Sequence, residues 1–281
     1  MIEKNVIITG ITSGIGTEIA LDFANKGFIL NLVARSHESG NKIKDHIIKS
    51  TNHDKINVYK CDLSLQSEIR EFVSDFKQNN DGLDILINNA GIIPKNQILT
   101  KEGIETQFAV NYIAPFLLSR LLLDLLKTSA PSRIVHTSST AHMSGNLNPS
   151  DFQRLNEKYA LRGWRAYFDT KLALTIDTIR LARELDGTGV TCNAVHPGFV
   201  NTNLGRYIMP KFMMPFGKLI GMFILSPKGG ADPIIHVACA DELEKVTGKY
   251  FHRFKEKEPS KKVFDTNITS KLLNYTQSII I

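Results

Sequence analysis

Cysteine is scarce in this 281-residue chain, which holds three, at positions 61, 192 and 239. So small, odd and scattered a set makes neither a disulfide framework nor a metal knuckle. No metal site is expected, and a reducing compartment, the cytoplasm, is. Long apolar runs are also missing. The best candidate, Ile113 to Leu126, is interrupted by Arg120 and Asp124, so nothing reads as a membrane span. Met1 to Lys4 lead straight into a strand pattern, which leaves no leader segment to expect. Charge of one sign is not concentrated either. The formal +6 comes from scattered bases, and the one cluster, Lys255 to Lys262, also holds Glu256 and Glu258. With no aromatics interleaved among them, these bases do not describe a nucleic-acid surface. They read as a solvated exterior that can also attract an anionic cofactor or lipid. A Gly-x-Ser-x-Gly nucleophile elbow is absent, and so are internal repeats and linkers.

What is there is an alternation of short apolar strands and amphipathic helices, with 42% hydrophobic residues to fill a core. Val6-Ile7-Ile8 reads as a buried strand. Thr9-Gly10-Ile11-Thr12-Ser13-Gly14-Ile15-Gly16 follows, then a helical pattern through Ile19, Ala20 and Phe23. Glycines at 10, 14 and 16 allow a tight turn and a close backbone approach, and the helix start offers free N–H groups to a pyrophosphate. Strand, loop and helix in this order point to a dinucleotide site, against the plain alternative of an ordinary turn. The next strand, Ile29 to Val33, runs into Ala34-Arg35-Ser36. An acidic residue here would bond the ribose 2′-hydroxyl of NAD, whereas an Arg accommodates the 2′-phosphate of NADP. Arg35 therefore favours NADP(H) over NAD(H). Glu38 nearby, and an Arg35 that merely faces water, are the opposing considerations.

A helix over Asn41 to Ser50 and a strand over Ile56 to Tyr59 lead to Cys61-Asp62-Leu63. There Asp62 could accept from an adenine amino group or, like Ser64, cap the following helix. A strand over Leu83 to Ile87 ends in Asn88-Asn89-Ala90-Gly91, whose small pair lets backbone pass close to a ligand. Asn111 falls in a long apolar helix, Phe108 to Leu126, where a buried amide needs a partner: structure or a catalytic water. Ile134 to Ser139 is a fifth strand ending in two hydroxyls; His142 beyond it reads as solvated or packed. Val190 to Val195 is a sixth, running into His196-Pro197-Gly198-Phe199-Val200-Asn201-Thr202. Such alternation predicts an α/β, Rossmann-like doubly wound parallel sheet of about seven strands with helices on both faces, as one domain over residues 1–281. The marked residues gather at the C-terminal ends of strands, where such sheets bind ligands.

The densest chemistry is Tyr167-Phe168-Asp169-Thr170-Lys171. Tyr and Lys four apart share a helix side. A phenol is a poor acid or base near neutrality, and an ammonium one turn away would stabilise its phenolate. By itself the pair is also what any half-buried helix face can show.

Together, Thr9 to Gly16, Asn88-Asn89-Ala90-Gly91, Asn111, Ser139, Tyr167-x-x-x-Lys171 and Pro197-Gly198 make the chain resemble the short-chain dehydrogenases/reductases over nearly its whole length. It is most similar to their retinol dehydrogenase branch through Ser138-Ser139-Thr140-Ala141-His142, Lys171-Leu172-Ala173, Val195 to Gly198 and Gly248-Lys249-Tyr250-Phe251. The resemblance implies that Tyr167 exchanges a proton with the substrate oxygen while Ser139 hydrogen-bonds it. It implies that Lys171 acidifies Tyr167 and grips the nicotinamide ribose, and that Asn111 holds a relay water. By the same resemblance Gly10, Ser13, Gly14, Ile15, Gly16, Arg35, Asp62, Leu63, Asn89, Ala90 and Gly91 line the cofactor. Pro197, Gly198, Val200 and Thr202 cover its nicotinamide. Two positions depart from the usual pattern: Thr170 stands where a Ser is common, and Ser13 where NADP-users often place a base. Membrane-bound members carry an N-terminal anchor that is not seen here.

The family's substrate lid falls at 202–226, and here it is rich in Met and Phe (Ile208 to Phe216, then Leu219 to Leu225), suiting a small apolar carbonyl or alcohol. A packed helix, a homodimer contact or a peripheral membrane contact through 205–225 would use the same residues. Residues 265–281 read as a helical tail, with Ile268, Leu272 and Leu273 at helical spacing. The expected activity is NADP(H)-dependent interconversion of an apolar aldehyde or ketone and its alcohol. C=C reduction on the same scaffold, or a non-catalytic NADP(H)-binding sensor, are the alternatives.

Overall fold

β1 (Asn5–Thr9) sends successive side chains to opposite layers: Val6 and Ile8 into one core, Ile7 into the other. That is the signature of a strand covered on both faces. The computed structural model describes residues 4–12, 14–156, 159, 163–200 and 225–281, and it centres β1 in a mixed sheet of order β3-β2-β1-β4-β5-β6-β7-β8. β2 (Ile29–Ala34), β3 (Ile56–Lys60), β4 (Ile85–Asn88), β5 (Ser132–Thr137), β6 (Val190–His196) and β7 (Tyr250–His252) run parallel to it. β8 (Lys255–Lys257) adds an eighth, antiparallel edge. It makes the sheet one strand wider than the sequence pattern suggests, because three exposed polar residues carry no apolar signal.

One face is covered by α1 (Ile15–Asn25), α2 (His37–Thr51) and, later in the chain, Pro227–Cys239, with Phe23, Ile47 and Ile234 packed beneath them. The other face carries α3 (Gln66–Asn79), the segment from 106 to 128 and the 21-residue helix Trp164–Glu184. Phe72, Phe76, Phe108, Tyr112, Phe116 and Ile176 fill that layer. The run expected as one helix over Phe108 to Leu126 is instead four pieces. These are α4 (Thr106–Phe108), a π turn (Ala109–Ile113), α5 (Ala114–Leu121) and α6 (Leu123–Thr128). Ala114 N–H reaches back five residues to the Ala109 carbonyl, a widening that apolar composition does not announce. Among the described residues the remaining α-helices are α7 (Trp164–Glu184), α8 (Pro227–Cys239) and α9 (Thr266–Ile279). The tail helix α9 docks on the body: Leu272 is buried, and the Thr276 and Tyr112 hydroxyls share a 2.8 Å hydrogen bond. Among the described residues no helix is long and apolar enough to cross a membrane.

Candidate active site

The glycine turn after β1 is tied to the end of β4 by a reciprocal set of hydrogen bonds. Thr9 Oγ1 accepts from the backbone N–H groups of Asn89 and Ala90, each at 3.0 Å. Asn89 Nδ2 donates to the carbonyls of Thr9 (3.1 Å) and Gly10 (3.2 Å). The glycines have a concrete reason. Gly10 sits at φ +69°, and a Cβ on Gly16 would lie 2.2 Å from the Gly10 carbonyl oxygen. α1 therefore starts directly against the turn, its first turn without a side-chain cap, leaving N–H groups and the positive dipole end for an anion. That uncapped start is what a dinucleotide pyrophosphate fits.

Arg35 is exposed at the end of β2 and forms no ion pair among the described residues. Glu38, the nearby carboxylate, is held by Lys42 at 2.7 Å. Asp62 caps no helix. Its Oδ1 accepts from Ser64 N at 2.9 Å, leaving the carboxylate partly exposed beside buried Leu63. The cap of α3 comes from Glu102, whose two oxygens accept from Gln66 N (2.7 Å) and Ser67 N (3.1 Å).

The C-terminal ends of β5 and β6 bring the remaining residues together. The two serines after β5 separate cleanly. Ser138 shares a 2.9 Å hydrogen bond with Thr175 inside the α7 packing, while Ser139 lies close enough to the Tyr167 phenol to pull its ionisation down. Ser139 Oγ also accepts from Ala141 N at 3.2 Å through one of its two lone pairs. Lys171 Nζ donates to the Thr137 carbonyl at 2.7 Å and stands 5.6 Å from the centroid of the Tyr167 ring. Both side chains are buried. Burial pushes the Tyr167 phenol up to about 12, with the Ser139 hydrogen bond pulling the other way. Burial also brings Lys171 down to about 8. Burial dominates at Tyr167, and the group that opposes it is Ser139.

Asn111 lies at the centre of the π turn, and its side chain is fully engaged. Oδ1 accepts from Ile92 N (2.8 Å), while Nδ2 donates to Ile92 O (3.0 Å) and Thr170 Oγ1 (3.3 Å). Thr170 in turn donates to the Tyr167 carbonyl at 2.9 Å, so the departure from Ser is accommodated. Asn111 Oδ1 and Lys171 Nζ face each other across Gly91, at 3.5 and 3.6 Å from where a Cβ would stand. Just after β6, Pro197 is buried, and Gly198 (φ +99°) turns the chain so that the Phe199 carbonyl accepts from Leu225 N at 2.7 Å. Val200 bridges to Leu225 and lies over Gly230 of α8. Ser13, Thr202 and nearly all of the 202–226 lid, with its Met and Phe, lie outside the described residues. Ser226 is described and caps α8 through Gly229 N at 3.1 Å. Sequence reasoning passed over the Thr137 carbonyl, and it gave Thr9 and His142 no role of their own. Each acts through a backbone partner, which side-chain patterns do not reveal.

Comparison with known proteins agrees with this arrangement. The family model described as short chain dehydrogenase matches residues 4–150. Retinol dehydrogenase 13 of Homo sapiens is 38% identical over 273 residues, 96% of this chain and 82% of that protein. Retinol dehydrogenase 12 of Homo sapiens is 37% identical over 277 residues, 99% of this chain and 86% of that one. Among solved structures, an uncharacterised protein from Mycobacterium paratuberculosis superposes with a TM-score of 0.78 at 26% identity, covering 99% of this chain and 93% of its own.

Proposed function

The chain belongs to the short-chain dehydrogenase family, oxidoreductases that bind a nicotinamide cofactor, and on that premise we propose that it reduces an apolar aldehyde or ketone with NADPH. The observation that carries this reading is the convergence of Ser139, Tyr167 and Lys171 at the C-terminal ends of β5 and β6. When bound, the cofactor supplies the hydride. The chain's own residues handle the proton. Ser139 and Tyr167 donate to the substrate oxygen, Ser139 stabilising the negative charge that builds there and Tyr167 transferring its proton to it. A phenol at about 12 is protonated at neutral pH, the state in which Tyr167 can give its proton to the substrate oxygen. Lys171, anchored on Thr137, would hydrogen-bond a ribose hydroxyl of the bound cofactor. The Asn111 amide acts by fixing Ile92 and the π turn beside Lys171.

Gly10, Gly14, Ile15 and Gly16 would seat the pyrophosphate, with Asn89, Ala90 and Gly91 behind it and Asp62 and Leu63 at the adenine. Pro197, Gly198 and Val200 would close over the nicotinamide. The preference for the 2′-phosphate rests on an unpaired, exposed Arg35 and on the neutralisation of Glu38 by Lys42. Two considerations favour a lipophilic substrate. The relatives are named for retinol, and apolar Met143 and Phe199 stay 47% and 68% exposed, four and sixty residues beyond Ser139 in sequence.

NADPH and NADH oxidation across a panel of aldehydes, ketones and enones tests this. Turnover is expected with apolar carbonyls and NADPH. Tyr167→Phe should cost about a thousandfold in kcat, and Arg35→Glu about 30-fold in NADPH preference. Reduction only of small polar carbonyls, or only of the enone C=C bond, would refute the substrate class.

A further inference from the structure

The residue that holds Ser139 in place comes from an unexpected quarter. The Ser139 carbonyl accepts from His142 Nδ1 at 2.6 Å and from His142 N at 3.1 Å. On the opposite edge of the ring, His142 Nε2 accepts the backbone N–H of Ser260 at 3.1 Å. The ring is fully buried and packs on Tyr250, centroids 4.5 Å apart. A second strut runs beside the first. Lys262 Nζ donates to the Gly145 carbonyl at 2.6 Å and reaches Asn146 Oδ1 at 3.4 Å. The segment after β8 therefore grips both ends of the turn that carries the serine. Because a backbone N–H can only donate, Nε2 is unprotonated and Nδ1 bears the hydrogen.

We propose that His142 is a positioning residue for Ser139. Its neutral ring bridges the Ser139 carbonyl to the Ser260 amide and so holds the serine hydroxyl against Tyr167. This rests on the acid role given above to Ser139 and Tyr167. It makes residues 260–262, distant in sequence from every motif of the site, part of the support for catalysis. The hydroxyl's orientation depends on the same turn, since Ala141 N donates to it. A turn released from His142 would loosen the donor along with the carbonyl.

The test is a double-mutant cycle on the full chain, following NADPH-dependent reduction of an apolar aldehyde. His142→Phe keeps a ring of similar size and should lose about tenfold in kcat with the KM for NADPH unchanged. His142→Asn, which retains an amide donor toward the Ser139 carbonyl, should recover part of that loss. In a Ser139→Ala background His142→Phe should cost nothing further. An equal cost in that background, or a loss wholly in KM, overturns the proposal. A readout free of turnover is 15N-histidine NMR. It should find His142 as a neutral Nδ1–H ring, with its Nε2 signal moved by Ser260→Pro, a substitution suited to the φ of −50° at Ser260. An Nε2–H tautomer, or an Nε2 signal indifferent to Ser260→Pro, overturns the bridge. A wild type inactive on every carbonyl while the NMR signature holds would sink the functional reading, and the catalytic half of this proposal with it.

Discussion

Lys171 shows how a single side chain can oppose stability for the sake of a site. It is 2% exposed and bonded to one carbonyl, and burial alone brings it down to about 8 from its ordinary 10.5. Between those two values the unfolded chain binds the proton and the folded chain does not, so stability rises with pH across that window. Below about 8 both states carry the charge and the full cost of burying it remains. The Lys171→Met variant should therefore be more stable than wild type near pH 7 by up to roughly 3 kcal/mol. The gap should close as pH climbs toward 10, as read by urea denaturation at several pH values. A constant gap would show that the lysine is not buried as a cation. The identity of this residue was legible in the sequence, through its spacing from Tyr167. Its depth of burial was not, because that depends on the layers closed over it.

Elements were legible in proportion to their apolar contrast. β1, β2, β6 and α7 stood out because hydrophobic residues recur there at strand or helix period, and their ends carry the site. α8 was hidden, since Pro227, Gly229, Gly230 and Pro233 are poor helix formers, although Pro in a first turn is compatible with a helix and Gly230 is needed beneath Val200 and Ile15. The π turn around Asn111 was hidden inside a continuous apolar run. Helix α3 carries a further lesson. The sequence offered Asp62 and Ser64 as caps, but the N–H groups are met by Glu102, brought across by the fold. Replacing Glu102 with Ala should cost about 1 kcal/mol of stability, within the range for a lost cap, and leave kcat unaltered. A fall in NADPH affinity with unchanged stability would mean the carboxylate serves the neighbouring cofactor edge instead.

The whole molecule is closed by its last helix. α9 lies against the layer formed by α3 and α4 to α6. It buries Leu272, supplies Thr276 to the Tyr112 hydroxyl, and hands the Ile279 carbonyl to Gln66 Nε2 at 2.9 Å. The Tyr112 phenol has no water to turn to, and burial drives its ionisation well above the ordinary range. Thr276→Val keeps the shape and removes the partner, so it should destabilise the whole domain by about 2 kcal/mol. Cooperative unfolding should be preserved, seen as a lowered denaturant midpoint at constant slope. Local fraying of residues 266–281 in hydrogen exchange, without a shift in that midpoint, would argue that the tail is an independent unit.

The Thr9–Asn89 lattice has a kinetic corollary. Its bonds join two strands of the protein to each other and need nothing from outside, so the seat for the dinucleotide is formed before the visitor arrives. Docking of the pyrophosphate would then require little reordering of the host, and the encounter there would be that of a key with a cut lock, its rate set by diffusion and by the attraction of a cationic protein for a polyanion.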